Sequence, residues 1–155
     1  MRRDQVSEVI PAACEAVFDL VHDYGRRLEW DTLLSAAYLV GGATAAGKGV
    51  ASVCVGRRSL GKLAIETRYV SFERGVVAAV EMINRPPLFG RWAASIRHSP
   101  LDGGASRITY TWSFESSPRW LRWLVEPIMA RVFRWETRKR LRALRAHFVR
   151  ISGGG

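Results

Sequence analysis

The sequence predicts an α+β fold in which one curved, seven-stranded antiparallel sheet grips a long C-terminal helix, with two short helices after the first strand. Three observations predict it. Six segments between residues 35 and 114 read as strands and are divided only by short, turn-like links, which suit hairpins and not crossovers. The stretch ARVFRWETRKRLRALRAHF, residues 130–148, holds no helix breaker and carries apolar residues at helical spacing. A seven-stranded sheet has one apolar face to cover, and this last helix is the only element large enough to cover it.

Taken in order, DQVSEVI (4–10) alternates as a first strand, and Pro11 ends it. CEAVFDLVHD (14–23) puts Val17, Phe18, Leu20 and Val21 on one side of a short amphipathic helix, and GRRLEWD (25–31) reads as a second, shorter one. Six strand segments follow: SAAYLVG (35–41), GVASVCVG (49–56), KLAIETRYVSF (62–72), VVAAVEMIN (76–84), LFGRWAASIRH (88–98) and SRITYTWSF (106–114). Pro118 then opens a helix running to about residue 150, in which Pro127 should make a kink or mark where the regular part begins. No internal repeat or long linker divides the chain, so residues 1–151 form one domain, with 152–155 (SGGG) as a flexible tail.

Strand phase separates an inner face from an outer one. Ile108, Tyr110, Trp112 and Phe114 share one side of the last strand; Trp92, Ala94, Ile96 and His98 share one side of the strand before it. Val80 and Met82 oppose Glu81, while Ile65, Thr67 and Tyr69 oppose Glu66 and Arg68. Small residues such as Ala78 and Ala94 stand among the large ones; they either leave a hollow inside a curved sheet, the reading preferred here, or make room for the helix in a close-packed core. The predicted lining is Tyr69, Met82, Trp92, Ile96, Tyr110, Trp112, Met129 and Phe133.

The chain of 155 residues carries a net charge of +10, which points to an anionic partner. That charge gathers at one end: residues 118–151 hold ten Lys or Arg against two Glu. At about 100° per residue, Met129, Phe133, Thr137, Leu141, Leu144, Phe148 and Ile151 fall within an arc of roughly 120°, and Arg131, Arg134, Arg138, Arg142 and Arg145 within roughly 80° on the opposite side. The apolar arc is the lid over the sheet, and the arginine stripe faces water or an anionic surface. No helix-turn-helix precedes it and few aromatics for base stacking stand on it, so nucleic acid is the weaker partner and a membrane surface the better one. In PRWLRWLVEP (118–127), Trp120 and Trp123 interleave with Arg119 and Arg122; the tryptophans either plug one end of the sheet, the reading preferred here, or meet an interface.

Other chemistry lacks its marks. GGATAAGKG (41–49) imitates a phosphate loop, but Gly49 stands where Ser or Thr should hold magnesium and a strand follows, so it reads as a hairpin loop. Cys14 and Cys54 are forty residues apart and read as small buried groups of a reducing compartment. His22, His98 and His147 have no metal-ligand spacing, so neither metal nor cofactor is expected. With no apolar run of spanning length and no signal core, the expected location is cytoplasmic.

VIPAACEAVFDLVHDYGRRLEWD, GKGVASVCVG, ETRYVSFE and the closing helix resemble the START-like helix-grip (SRPBCC) superfamily, in its section of polyketide cyclase/dehydrase, lipid-transport and coenzyme Q-binding proteins. The likeness spans nearly the whole chain in element order, and its more specific marks are Ile10, Pro11, Ala12, Val17, Phe18, Asp23, Trp30 and Gly49. The family often has Ala before Pro at its first helix; here the order is PAA. The resemblance implies a pocket between sheet and helix for a hydrophobic small molecule such as a lipid, quinone or polyketide, and it does not imply catalysis. The enzyme alternative is a cyclase or aromatase working by general acid/base chemistry, for which His98, Tyr69, Tyr110 and Glu136 are the candidates. Glu136 either pairs with Arg140 one helical turn on or is the one acid facing the pocket.

Overall fold

A computed structural model describes residues 1–153. The chain forms β1 (Arg2–Ile10), α1 (Cys14–Val21), β2 (Leu34–Leu39), β3 (Ala51–Gly56), β4 (Ala64–Glu73), β5 (Val77–Met82), β6 (Phe89–Pro100), β7 (Ser106–Ser116) and α2 (Arg122–Gly153). Every strand pair is antiparallel, in the order β1-β7-β6-β5-β4-β3-β2, so the chain crosses from one sheet edge to the other between β1 and β2 and then returns strand by strand. This is the expected helix-grip arrangement.

Three local expectations need correction. The second short helix is a single 3-10 turn, Arg27–Glu29. Pro118 opens another 3-10 turn, Arg119–Leu121, and α2 starts only at Arg122, running through Pro127 without ending. Its far end is Gly153, so Ser152 and Gly153 of the expected tail are helical, while Gly154 and Gly155 lie outside the described residues.

Alternation works as read in β7, where Ile108, Tyr110, Trp112 and Phe114 are all buried. In β4 it is interrupted. The register slips between Tyr69 and Ser71, a bulge that turns both Tyr69 and Phe72 inward three residues apart. Those two rings pack with Phe18 of α1 in an aromatic group, with ring centroids 5.3 Å apart for Tyr69–Phe72 and 5.0 Å for Phe18–Phe72.

The helix does not treat the sheet evenly. It packs chiefly along β1 and β7, and its fully buried residues run from Glu136 to Phe148. There Leu141, Leu144 and Phe148 join Val6, Ile10, Val17, Val21 and Ile108 in the main core. Each such side chain contributes about 1.5–3 kcal/mol on burial. The first half of α2, Arg122–Trp135, has no fully buried residue, so it stands off the sheet over β3–β6.

One buried ionic cluster ties the crossing segment to that helix. Asp31 accepts from Arg27 Nε at 2.9 Å and from Arg140 Nε and Nη2 at 2.9 and 2.8 Å, and its Oδ1 also accepts from the Leu33 N–H at 3.1 Å. Arg27 further donates to the Val21 carbonyl at 3.0 Å. Burial alone would raise the Asp31 pKa, but Arg140 and Arg27 overcome it and hold the carboxyl below its ordinary value. Removing the shared carboxylate would leave two guanidinium groups buried without a counter-charge. Asp31→Ala is expected to cost about 3–5 kcal/mol in urea unfolding, against under about 1 kcal/mol for Glu29→Ala, whose partner Arg26 is exposed.

His98 is inward, as its phase implies, but it lies under Phe18 with ring centroids 5.5 Å apart, and neither ring nitrogen has a partner among the described residues. Burial lowers its pKa to about 4, and burial, with the charges of Arg27 and His98, lowers that of His22 to about 3. Both rings are therefore neutral in the fold, whereas in the unfolded chain they titrate near 6.5. Between those values the unfolded state holds more protons, so stability is complete above about pH 6.5 and falls as the pH falls, by at most about 1.4 kcal/mol per pH unit for each ring. Urea titrations from pH 6.5 to 4.5 should show this slope, and His98→Leu should remove about half of it.

Candidate functional site

Because α2 stands off the sheet over its first half, a cavity of about 480 Å³ opens between them. Its wall is the inner face of β3–β7: Cys54 from β3, Ile65, Thr67 and Tyr69 from β4, Ala78 and Val80 from β5, Trp92, Ala94 and Ile96 from β6, Tyr110 and Trp112 from β7. α2 supplies Ile128, Met129, Val132 and Phe133 opposite them. The volume lies in the usual range of about 300–1,000 Å³ for small-molecule sites, and the lining is mainly aliphatic and aromatic.

Of the residues nominated by strand phase and by the helical arc, Tyr69, Trp92, Ile96, Tyr110, Trp112, Met129 and Phe133 line the cavity. Met82 does not. The β5–β6 ladder ends at Glu81–Ala93, and beyond it Pro87, Leu88 and Phe89 of the connecting turn form the wall instead. His98 is not part of the lining either, since α1 covers it through Phe18. Glu136 does reach the cavity, but it is bound in ion pairs: Arg57 Nη2 and Nη1 donate to its two oxygens at 2.6 and 3.0 Å, and Lys139 Nζ is 3.4 Å away. Burial would raise the Glu136 pKa, but the Arg57 hydrogen bonds and charge hold it below the ordinary value. Arg140 pairs with Asp31 and not with Glu136.

The polar end of the cavity is built by residues that strand phase did not nominate. His22, at the end of α1, and Tyr24 reach it beside Arg27 and Arg140. His22 Nδ1 is 2.8 Å from Tyr69 Oη, which is 2.9 Å from Tyr24 Oη; Tyr24 donates to Ser52 Oγ at 3.0 Å, and Ser52 Oγ is 3.2 Å from Thr67 Oγ1. Each hydroxyl has one proton, and that of Tyr24 is spent on Ser52. The Tyr69–Tyr24 and His22–Tyr69 bonds then have one direction only: Tyr69 donates to Tyr24, and the His22 Nδ1–H donates to Tyr69. Ser52 and Thr67 share the last bond, and Thr67 lines the cavity. Arg27 Nη2 and Arg140 Nη1 also have no acceptor among the described residues. The inner end thus offers two guanidinium donor groups, the Thr67 hydroxyl and one positive charge in excess of Asp31. Burial and Tyr24 push the Tyr69 hydroxyl far above its ordinary pKa, and burial raises the Cys54 thiol, so neither ionises readily.

The sequence held one signal for this end. Arg27 stands four residues before Asp31, with Trp30 beside them, and a charged pair at that spacing can close on itself within one turn. Of the arginine stripe, Arg131, Arg138, Arg142 and Arg145 are exposed, while Arg134 is held by Asp4 of β1 and Arg145 lies 3.9 Å from Glu8. None of the five lines the cavity. Trp120 and Trp123 do not plug the sheet: they are 73% and 76% exposed.

Solved structures share this architecture at low identity. A START superfamily protein from Mycobacterium smegmatis superposes with a TM-score of 0.79 at 9% identity, covering 96% of this chain and 98% of that one. The Zhui aromatase/cyclase from Streptomyces gives 0.77 at 14% identity, covering 96% and 94%. XoxI from Bacillus cereus gives 0.78 at 14%, covering 98% and 99%. A search of curated proteins finds no match. The family described as polyketide cyclase/dehydrase and lipid transport matches residues 1–149, which span the whole sheet and nearly all of α2. The chain belongs to the polyketide cyclase/dehydrase and lipid transport family.

Proposed function

We propose that this protein binds a hydrophobic small molecule of lipid, quinone or polyketide type in the cavity between sheet and α2, with an oxygen-bearing end against Thr67, Arg27 and Arg140. The observation that carries this reading is an apolar chamber of about 480 Å³ whose few polar groups gather at one end. An apolar wall gives affinity without direction, and donors at one end fix orientation. The donors are preset, because Asp31 holds both guanidinium groups.

Carriage fits better than turnover. A cyclase or aromatase needs a group free to take a proton near the reacting carbon. Glu136 is bound by Arg57, His98 is walled off, and His22, whose Nε2 is without a partner among the described residues, is a weak base because burial lowers its pKa to about 3. A nucleophile is lacking as well, because burial keeps Cys54 protonated. The cluster does favour one part of the enzyme reading. Two guanidinium groups sharing one carboxylate could stabilise an enolate in a dry site.

Native mass spectrometry of the purified protein should reveal a co-purified apolar molecule, and Nile red should bind with little dependence on salt. Ala94→Phe, placed between Trp92 and Ile96 on the wall, should weaken Nile red about tenfold or more while the melting temperature stays within a few degrees. A protein that binds neither Nile red nor any co-purified molecule would sink the reading. For the enzyme alternative, Tyr69→Phe breaks the hydroxyl chain without changing volume; a cyclase that depends on this chain should lose about 10²-fold or more in kcat, whereas a carrier shows no turnover to lose.

A further inference from the structure

We propose that the mouth of this cavity docks on an anionic lipid bilayer, so that the apolar ligand enters and leaves without crossing water. The proposal rests on the ligand reading for its purpose, but the contact itself stands on different observations.

The first is an apolar rim. Ile128, Val132 and Leu88 line the cavity and are also exposed, at 59%, 43% and 48%, so they mark its opening. Exposed Leu124 and Trp135 continue the same side of α2, since Leu124, Ile128, Val132 and Trp135 fall within roughly 80° of helix turn. Trp120 and Trp123 stand at the start of this helix, their rings in solvent. Five large apolar groups along this rim, with two exposed indoles at the start of the same helix, exceed the scatter of single exposed residues expected on a soluble surface.

The second is charge. The segments that frame the mouth are the β3–β4 turn (57–63), the β5–β6 turn with the start of β6 (83–91), and the approach to α2 with its first half (117–135). Together they hold nine Arg or Lys against one acid, Glu126, which is itself paired with Arg122. Arg58, Lys62, Arg85 and Arg119 are exposed, with no ion pair among the described residues. Indole rings and guanidinium groups around an apolar ridge match the headgroup layer of a bilayer, where rings sit at the interface and cations meet phosphates. An acidic protein would match the cations but gives no reason for solvent-facing indoles.

The third is backbone. The only two residues other than glycine with positive φ among the described ones are Leu88 (φ 71°) and Lys62 (φ 51°), one on each of the two turns that frame the mouth. An apolar residue held in the left-handed region carries strain, and here the strain keeps an apolar side chain at the rim. Of the arginine stripe, Arg131 and Arg134 fall within these segments, Arg134 being held by Asp4, whereas Arg138, Arg142 and Arg145 lie further along α2, beyond them.

The test is sedimentation with phosphatidylcholine vesicles, with and without phosphatidylglycerol. The protein should bind the anionic vesicles, less so as salt rises, and barely bind the neutral ones. The Trp120→Ser/Trp123→Ser pair should lose most of this binding. The Arg58→Gln/Lys62→Gln/Arg85→Gln triple should weaken it by more than about tenfold, at up to about fivefold per cation removed. None of these side chains lines the cavity, so Nile red affinity in vesicle-free solution should stay at the parent value. Loss of Nile red binding with vesicle binding intact would instead count against the ligand site alone. The Arg138→Gln/Arg142→Gln control should bind vesicles almost as the parent does. No vesicle binding by the parent, or binding lost in the stripe control and kept in the tryptophan pair, would overturn the proposal. So would binding to an acidic protein that needs the same tryptophans while vesicles are ignored.

Discussion

The carboxylate of Asp31 is the joint on which the cavity turns. It sits in the segment that crosses from one sheet edge to the other, and it holds Arg27 of that segment and Arg140 of α2 through charged hydrogen bonds of 2.8–2.9 Å. Hydrophobic burial could seat the helix at several rotations with similar energy, because apolar packing is nearly non-directional. A bidentate guanidinium–carboxylate pair cannot tolerate such freedom. It fixes the rotation of α2 near Arg140, and this decides that Met129 and Phe133, three and two turns earlier, face the sheet. The same pair leaves one cation in excess at the inner end of an apolar chamber. A structural link and the polar end of a binding site are thus one cluster.

Stability and function divide along the helix. From Glu136 to Phe148 α2 is sealed against β1, β7 and α1; before that it is half-exposed and roofs a hollow. A helix packed along its whole length would be more stable, since filling a cavity of this size would bury several more side chains. The closed half and the ionic cluster offset that loss, and they confine the unfilled volume to one place.

Most of the fold was legible because its determinants are periodic. Strand phase and the helical arc together named eight lining residues, seven of which the fold sets around the cavity; strand phase failed for Met82, where the β5–β6 ladder stops and a turn takes over. It placed His98 inward but could not tell which inward positions the cavity reaches and which α1 covers. The polar end was not legible by the same means. His22, Tyr24 and Arg27 lie in a short, irregular stretch where no period exists, and their meeting with Tyr69 and Arg140 spans more than forty and more than one hundred residues of sequence. Charged residues read from sequence default to the surface, so Arg140 and Glu136 looked like partners of each other. In the fold each pairs across elements, with Asp31 and Arg57.

The basic character of the chain also divides in two once the fold is known. The stripe that the helical wheel made conspicuous is partly consumed within the molecule, by Asp4 and Glu8 of the edge strand β1. Edge strands benefit from such charges, which discourage pairing with another chain, and this gives the stripe a use without any partner. The cations around the cavity mouth have no comparable internal duty, apart from Arg57, Arg122 and Arg134. They lie on three separate turns and helix starts, so no window of sequence reveals them as a group. Solvent-facing indoles and a strained Leu88 at the same opening add cost without adding core. A surface that holds apolar groups out of the core, unpaired cations and backbone strain in one place is organised around something outside the molecule, and its position at the opening of the cavity ties that partner to the traffic of the cavity.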